Sequence, residues 1–117
     1  DFIKRELSNF IITPKENHGV ETNWLAYPVL LRENLNYNRT ELQIFLEKKN
    51  IQTRTIFSGN ITRQPIMNGK SYNTNNIEFK NSDYVMKNGM LIGCHPKLDQ
   101  NDLDYITSSL SEFFHGK

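Results

Sequence analysis

The sequence contains little of what disulfide-bonded, metal-binding and membrane proteins require. It has a single cysteine, Cys94, among 117 residues, so it can form no internal disulfide and offers no cysteine framework for zinc. No stretch approaches the ~20 consecutive apolar residues of a membrane-spanning helix, and no segment resembles a secretory signal peptide. We therefore expect a cytoplasmic protein with no membrane partner.

The chain also lacks a large excess of either positive or negative charge. The 14 Lys and Arg residues are nearly balanced by 13 Asp and Glu residues, so no surface-wide field would attract nucleic acid. The Lys/Arg-Gly-aromatic pattern of RNA-recognition strands is absent as well. These two absences predict that nucleic acid is not a partner of this chain.

Motifs that carry catalysis or metal binding are missing too. His18, His95 and His115 are far apart, and the Cys94-His95 pair does not have the spacing of two metal ligands on one helix face. The glycines match neither phosphate-loop pattern, and no nucleophile elbow is present. We therefore predict no catalytic residue and no metal site in this chain.

Apolar periodicity predicts one α+β domain. The length fits a single modest core, with residues 1–23 as a helix tail followed by a linker and residues 24–117 as the compact part. Because the first residue is not methionine, we expect a fragment or a processed product. The elements predicted after residue 23 are a strand at 24–31, a helix at 40–49, strands at 51–57 and 90–94, and a helix after residue 99. This order predicts a small three-stranded sheet with helices packed on one face.

Capping signals predict where the helices begin. Thr40 and Gln43 fit a capping box for the first long helix, and Asp99 is the predicted N-cap of the last one. Ser82 and Asp83 are predicted to cap only a short turn. Apolar residues at helical spacing predict the buried stripe of the last helix: Leu103, Ile106, Leu110 and Phe113.

The segment 54–67 is the predicted binding region, because it leaves the middle strand through the break Ser58-Gly59-Asn60. Glycine or asparagine there can adopt the positive φ that ends a strand abruptly. Four side chains with planar nitrogen donors lie in this segment: Arg54, Asn60, Arg63 and Gln64. Such groups suit phosphate oxygens and sugar hydroxyls. The alternative interpretation is an ordinary strand exit with solvated arginines.

Three segments of the chain resemble a known family. Residues 52–65 contain the pattern Thr-Arg-x-x-Phe-x-Gly-Asn-x-x-x-Gln-Pro, and together with residues 81–86 and 93–96 they resemble the C-terminal domain of nucleotide-sugar 3-dehydrases. These enzymes belong to the DegT-type sugar aminotransferase family of pyridoxal-phosphate enzymes. The resemblance is greatest to the CDP-4-keto-6-deoxyglucose 3-dehydrases and runs from about Trp24 to Phe114.

The resemblance implies the small, mainly antiparallel C-terminal domain of a homodimeric fold type I enzyme of deoxysugar and lipopolysaccharide O-antigen biosynthesis. In that family this domain closes on the substrate, and a large preceding domain binds pyridoxal or pyridoxamine phosphate. Neither the cofactor site nor cysteines for an iron–sulfur cluster would fall within these residues. The chain alone is therefore expected to bind no cofactor and to lack turnover.

The resemblance also implies a substrate-binding set for a nucleotide-diphosphate sugar. Its members are Arg54, Phe57, Ser58, Asn60 and Arg63, and we add Gln64 for its amide donors and His95 for its place after the last strand. An arginine fork can hold a diphosphate through two hydrogen bonds, Ser58 and Asn60 can bond sugar hydroxyls, and Phe57 can pack on the sugar or the cofactor ring. The sequence leaves open which arginine takes which role.

Two other functions remain open from the sequence. The first is the corresponding domain of a nucleotide-sugar aminotransferase, which differs in keeping a lysine at the Schiff-base position upstream. The second is a standalone α+β module that binds anions or serves as an adaptor.

Overall fold

The computed structural model describes residues 2–33, 35–73 and 77–116. The helices are α1 (Phe2–Glu6), α2 (Arg39–Lys48), α3 (Lys80–Asn88) and α4 (Gln100–His115), and the strands are β1 (Ile11–Ile12), β2 (Ala26–Leu31), β3 (Thr53–Thr55) and β4 (Gly89–Gly93). Two 3-10 helices, at Ile61–Arg63 and Pro65–Met67, lie between β3 and α3. Within the described ranges, none of the helices combines the length and the apolar character of a membrane span.

The strands form one antiparallel sheet in the order β1-β2-β4-β3. The predicted α+β class is confirmed, but the sheet has four strands and not the predicted three. The additional strand is β1, in which Ile11 and Ile12 pair with Leu31 and Leu30. Two residues are too few to show the period-two alternation by which a strand is recognised in a sequence, so only the partner strand reveals this one.

One face of the sheet carries the core. Directly opposed residues of an antiparallel ladder lie on the same face, and the opposed pair Val29 and Met90 is fully buried. Helices α2 and α4 cover this face. The buried apolar cluster comprises Leu7, Ile11, Val29, Leu31, Leu42, Leu46, Ile51, Met90, Ile92, Leu110, Phe113 and Phe114. Of the predicted α4 stripe, Leu110 and Phe113 are buried, whereas Leu103 is 44% exposed and lies outside the core.

The opposite face of the sheet holds the first of the predicted site residues. In the ladder Arg54 is opposite Leu91, and Leu91 is opposite Pro28, so these three residues share the face turned away from α2 and α4. Arg54 is exposed, and Leu91 and Pro28 are partly buried. The candidate site therefore begins on the side of the sheet that the core helices leave uncovered.

The caps of two helices test the predicted boundaries. Helix α4 begins as predicted, because the Asp99 carboxylate accepts the Asp102 amide at 3.0 Å. The prediction for α2 was wrong: its capping box is formed by Asn38 and Glu41, with hydrogen bonds of 3.0 and 2.9 Å. Thr40 lies within the helix, since asparagine at the earlier position is the stronger N-cap.

Helix α3 replaces the short turn predicted around Ser82 and Asp83. It begins at Lys80 and has no side-chain cap, so the Asp83 carboxylate is available for other partners. The C-terminal end of α3 is fixed by Arg39 of α2, whose Nη1 donates to the carbonyl oxygens of Met86 at 2.7 Å and Gly89 at 3.3 Å. Cationic donors suit the carbonyl end of a helix dipole, so α3 is held in a defined position next to the candidate site.

Candidate functional site

The chain turns sharply after β3 and lies against α3. The ladder of β3 ends at Thr55, two residues before the predicted end, and Phe57 and Gly59 have φ of +43° and +60°. The predicted positive φ at the break is thus confirmed at Gly59. A Cβ at this glycine would lie 2.4 Å from the Cβ of Met86, so only glycine allows the turn to approach α3 this closely.

Asn60 fastens the turn from within. Its side chain is 2% exposed, and its oxygen accepts the Thr62 amide at 3.0 Å and the Thr62 hydroxyl at 2.7 Å. Its amide nitrogen donates to Asp83 Oδ1 at 2.7 Å. The Asn60 side chain therefore caps the first 3-10 helix and joins it to α3, and in this conformation it is not presented to a ligand.

Arg63 is held by the same carboxylate. Its Nε donates to Asp83 Oδ1 at 3.1 Å, and its Nη2 donates to Asp83 Oδ2 at 2.9 Å. This two-bond pairing lowers the pKa of Asp83 below its usual value, with a further contribution from the Asn60 hydrogen bond, and raises the pKa of Arg63. The side chain of Arg63 is 60% exposed, and no acceptor for its Nη1 group occurs within the described ranges.

Arg54 differs from Arg63 because no ion pair holds its guanidinium to a carboxylate in the part of the chain that the structure describes. The pKa of Glu47 is lowered mainly by hydrogen bonds from the Thr53 amide at 2.6 Å and hydroxyl at 2.9 Å. Arg54 contributes a smaller electrostatic attraction to that shift. Arg54 is therefore an exposed cation on the open face of the sheet, beside the turn.

Of the other predicted site residues in the turn, one forms a hydrogen bond across it and two are exposed to solvent. Gln64 Nε2 donates to the carbonyl oxygen of Ser58 at 2.7 Å and lies 3.7 Å from the Met86 sulfur. Ser58 is exposed, and Phe57 is 83% exposed. Phe57 lines a cavity of ≈ 260 Å³ between the turn and α3. An aromatic ring presented in this way offers a flat apolar surface to a ligand.

His95 is not brought together with the other predicted site residues. In the β3–β4 ladder Thr53 is opposite Ile92 and Thr55 is opposite Met90. His95 follows β4 at the Thr53 end of that ladder, whereas the turn leaves from the Thr55 end. The exposed His95 ring accepts the Lys97 amide at 3.1 Å, which closes its own local turn.

Sequence reasoning missed the two α3 residues on which the turn depends, Asp83 and Met86. Asp83 lies 20 residues from Arg63 in the sequence, and no local periodicity relates the two. The one sequence signal was the pair of nitrogen-donor side chains at Asn60 and Arg63. Such donors predict an acidic hydrogen-bond partner but do not indicate its position in the sequence.

Comparison with known proteins gives one family. The model of the DegT/DnrJ/EryC1/StrS aminotransferase family matches residues 3–111. The lipopolysaccharide biosynthesis protein RfbH of Salmonella typhimurium is 35% identical over 107 residues, which is 92% of this chain and 24% of RfbH. A dTDP-4-dehydro-2,6-dideoxy-D-glucose 3-dehydratase of Saccharopolyspora spinosa is 29% identical over 88% of this chain and 22% of its own length.

Solved structures agree on the fold. The E. coli GDP-4-keto-6-deoxy-D-mannose-3-dehydratase superimposes with a TM-score of 0.79 at 22% identity, over 93% of this chain and 27% of that one. A DegT/DnrJ/EryC1/StrS aminotransferase of Brucella abortus gives a TM-score of 0.77 at 17% identity, over 97% and 28%. The chain thus spans about a quarter of the length of the relatives that it matches. On the extent of the family match, this chain belongs to the DegT/DnrJ/EryC1/StrS aminotransferase family.

Proposed function

We propose that this chain is the substrate-closing small domain of a nucleotide-sugar 3-dehydrase that uses pyridoxal or pyridoxamine phosphate. The relatives named as 3-dehydratases support this function, and RfbH supports a place in lipopolysaccharide biosynthesis. The observation that carries the proposal is the exposed guanidinium of Arg54 beside a turn whose conformation is fixed by the hydrogen bonds of Asn60, Arg63 and Gln64. A turn held in one conformation beside an exposed cation is suited to binding an anionic ligand.

The sequence left open which arginine takes which role, and the structure favours different roles for Arg54 and Arg63. Arg54 can offer its whole guanidinium edge to a diphosphate, whereas Arg63 can offer only what its pairing with Asp83 leaves, the Nη1 group. Exposed Ser58 and Phe57 can contact the sugar. Asn60 and Gln64 would support the turn from inside and would not contact the ligand.

The residues of the turn do not fit the cofactor itself. A site for pyridoxal phosphate requires a lysine or its replacement at the aldehyde carbon and an acid or arginine beside the pyridine nitrogen. The turn has no lysine, and its acidic partner Asp83 is already bonded to Asn60 and Arg63. We propose that the cofactor, and an iron–sulfur cluster where one is used, belongs to a preceding domain of a cytoplasmic homodimer.

The test is the binding of nucleoside diphosphates to the intact gene product that carries this chain. Titration calorimetry with CDP, GDP and dTDP should show binding of at least one, and Arg54→Ala should weaken it about 10- to 100-fold, because hydrogen bonds to charged groups are strong. Arg5→Ala is the matched control, since exposed Arg5 lies on α1 next to β1, at the opposite edge of the sheet from β3. Equal affinities of the wild type and the Arg54 variant would contradict the proposal.

A nucleotide-sugar aminotransferase is the second candidate, favoured by the similarity to a structure described as an aminotransferase. The two functions differ upstream of this chain. A histidine at the Schiff-base position of the intact gene product supports the dehydrase, and a lysine there supports the aminotransferase. A gene product with no preceding domain of about 250–300 residues would favour a standalone anion-binding module.

A further inference from the structure

Asp83 connects two of the predicted site residues to α3 through one carboxylate. Its Oδ1 accepts from Asn60 Nδ2 at 2.7 Å and from Arg63 Nε at 3.1 Å, and its Oδ2 accepts from Arg63 Nη2 at 2.9 Å. The Asp83 side chain is 35% exposed. Three donors from the turn therefore converge on one acid of the helix beneath it.

We propose that Asp83 is a positioning residue, which holds the Arg63 guanidinium with its Nη1 edge available to the diphosphate of the substrate. The inference rests on the proposed function and adds to it a residue outside the sequence motif. Asp83 itself would not touch the ligand. It would act on the affinity through Arg63 alone, and its bond to Asn60 would serve only to hold the turn against α3.

Preorganisation is the physical reason for the assignment. An exposed arginine must lose much of its rotamer freedom when it binds a ligand, which weakens binding. The two-bond pairing with Asp83 removes that freedom in advance, since both planar groups are fixed edge to edge. The support is itself rigid, because α3 is held by Arg39 at its C-terminal end and contacts Gly59 through Met86.

A competing role predicts the opposite sign. If Asp83 instead occupied Arg63 as a competitor of the ligand, removal of the carboxylate charge would free the guanidinium and raise the affinity for an anion. If Asp83 positions Arg63, the same change must lower the affinity. The direction of the effect therefore separates the two roles.

The experiment compares four forms of the intact gene product by titration calorimetry with CDP, GDP and dTDP: wild type, Asp83→Asn, Arg63→Ala and the double variant. We expect Asp83→Asn to weaken nucleoside diphosphate binding about three- to tenfold, and to have no further effect once Arg63 is alanine. Glu112→Gln is the matched control. It breaks the 2.8 Å ion pair between Lys49 and Glu112, which links α2 to α4 away from the turn, and should leave the affinity unchanged.

Each outcome decides the proposal. Unchanged or raised affinity in Asp83→Asn overturns it. It is also overturned if Asp83→Asn weakens binding as much in the Arg63→Ala background as in the wild type, because that result would mark a purely structural role. If Asp83→Asn does not fold, Arg63→Lys is measured in its place, because lysine keeps the charge but cannot form the two-bond fork. Unchanged affinity in Arg63→Lys also overturns the positioning role. Wild type that binds none of the three nucleotides at millimolar concentration overturns the proposed function together with this inference, whereas binding that Asp83→Asn leaves intact removes only the inference.

Discussion

The two sides of this small sheet are held by different interactions. Under α2 and α4 the buried cluster is apolar and contains no charged residue, whereas the turn after β3 is fixed by the polar bonds of Asn60, Arg63 and Asp83 and leaves Phe57 exposed. Apolar burial is strong but nearly non-directional, and hydrogen bonds are weaker but specify angles. The comparison indicates that the core supplies stability and the turn supplies geometry.

Truncation in the core should therefore have the largest effect on stability. Leu110 of α4 is fully buried, and Leu110→Ala should lower the free energy of unfolding by about 2–5 kcal/mol through lost burial and a cavity. Urea denaturation of the intact gene product, with hydrogen exchange followed in peptides of α4, measures the loss. Leu103→Ala is the control on the same helix, because its side chain is 44% exposed; similar losses in both variants would contradict the assignment of the core.

Substitution of the turn glycine should give an intermediate effect and isolate the contact with α3. Gly59 and Gly69 both have positive φ, +60° and +73°, so an alanine at either costs about 1–2 kcal/mol in backbone strain. Only at Gly59 would the new Cβ meet Met86, since no atom lies within 4 Å of that at Gly69. Gly59→Ala should therefore be the more destabilising in urea denaturation and should also weaken nucleoside diphosphate binding. Equal losses in both variants would show that the turn does not rest on α3.

Lowering the pH should have the smallest effect on the free energy of unfolding, through the protonation of Glu47 at the edge of the core. Its folded pKa is lowered below the usual 4.5, so its contribution to stability is present above that value and is lost as pH falls through the folded pKa. As the pH falls below 4.5, the unfolding free energy of Glu47→Gln should therefore decline less steeply than that of the wild type.

The matched control for this titration is Glu21→Gln, which changes an exposed side chain and keeps the bonds from Thr53 to Glu47. We expect it to retain the wild-type pH dependence. Identical slopes in the Glu47 variant and the wild type would contradict the role given to the Thr53 bonds.

The fold could be predicted from sequence wherever the evidence is local. The apolar run that became β2 and the capping pair Asp99 and Asp102 depend on residues close together in the chain. Strand β1 could not be predicted, because two residues carry no periodicity and only pairing with β2 defines them. The start of α2 was missed because two overlapping capping boxes were available, and the box with the stronger N-cap residue, Asn38, is the one that forms.

The candidate site was predictable as a segment but not as an arrangement. The motif located the turn, and the conformational freedom of glycine predicted the positive φ at Gly59. The roles of Asn60 and Arg63 depend on Asp83, which comes from a helix that the sequence showed only as a turn. His95 lies at the other end of the β3–β4 ladder, so its participation stays a prediction that this geometry does not favour.

The fastening of the turn has an evolutionary consequence. Within the described ranges, the side-chain hydrogen bonds of Asn60, Arg63 and Gln64 go to other residues of the turn or to α3, and none of these bonds involves the buried cluster. Substitutions within the cluster can therefore accumulate without breaking any of these side-chain bonds. The same fold accordingly occurs in a solved structure at 22% identity, with a TM-score of 0.79.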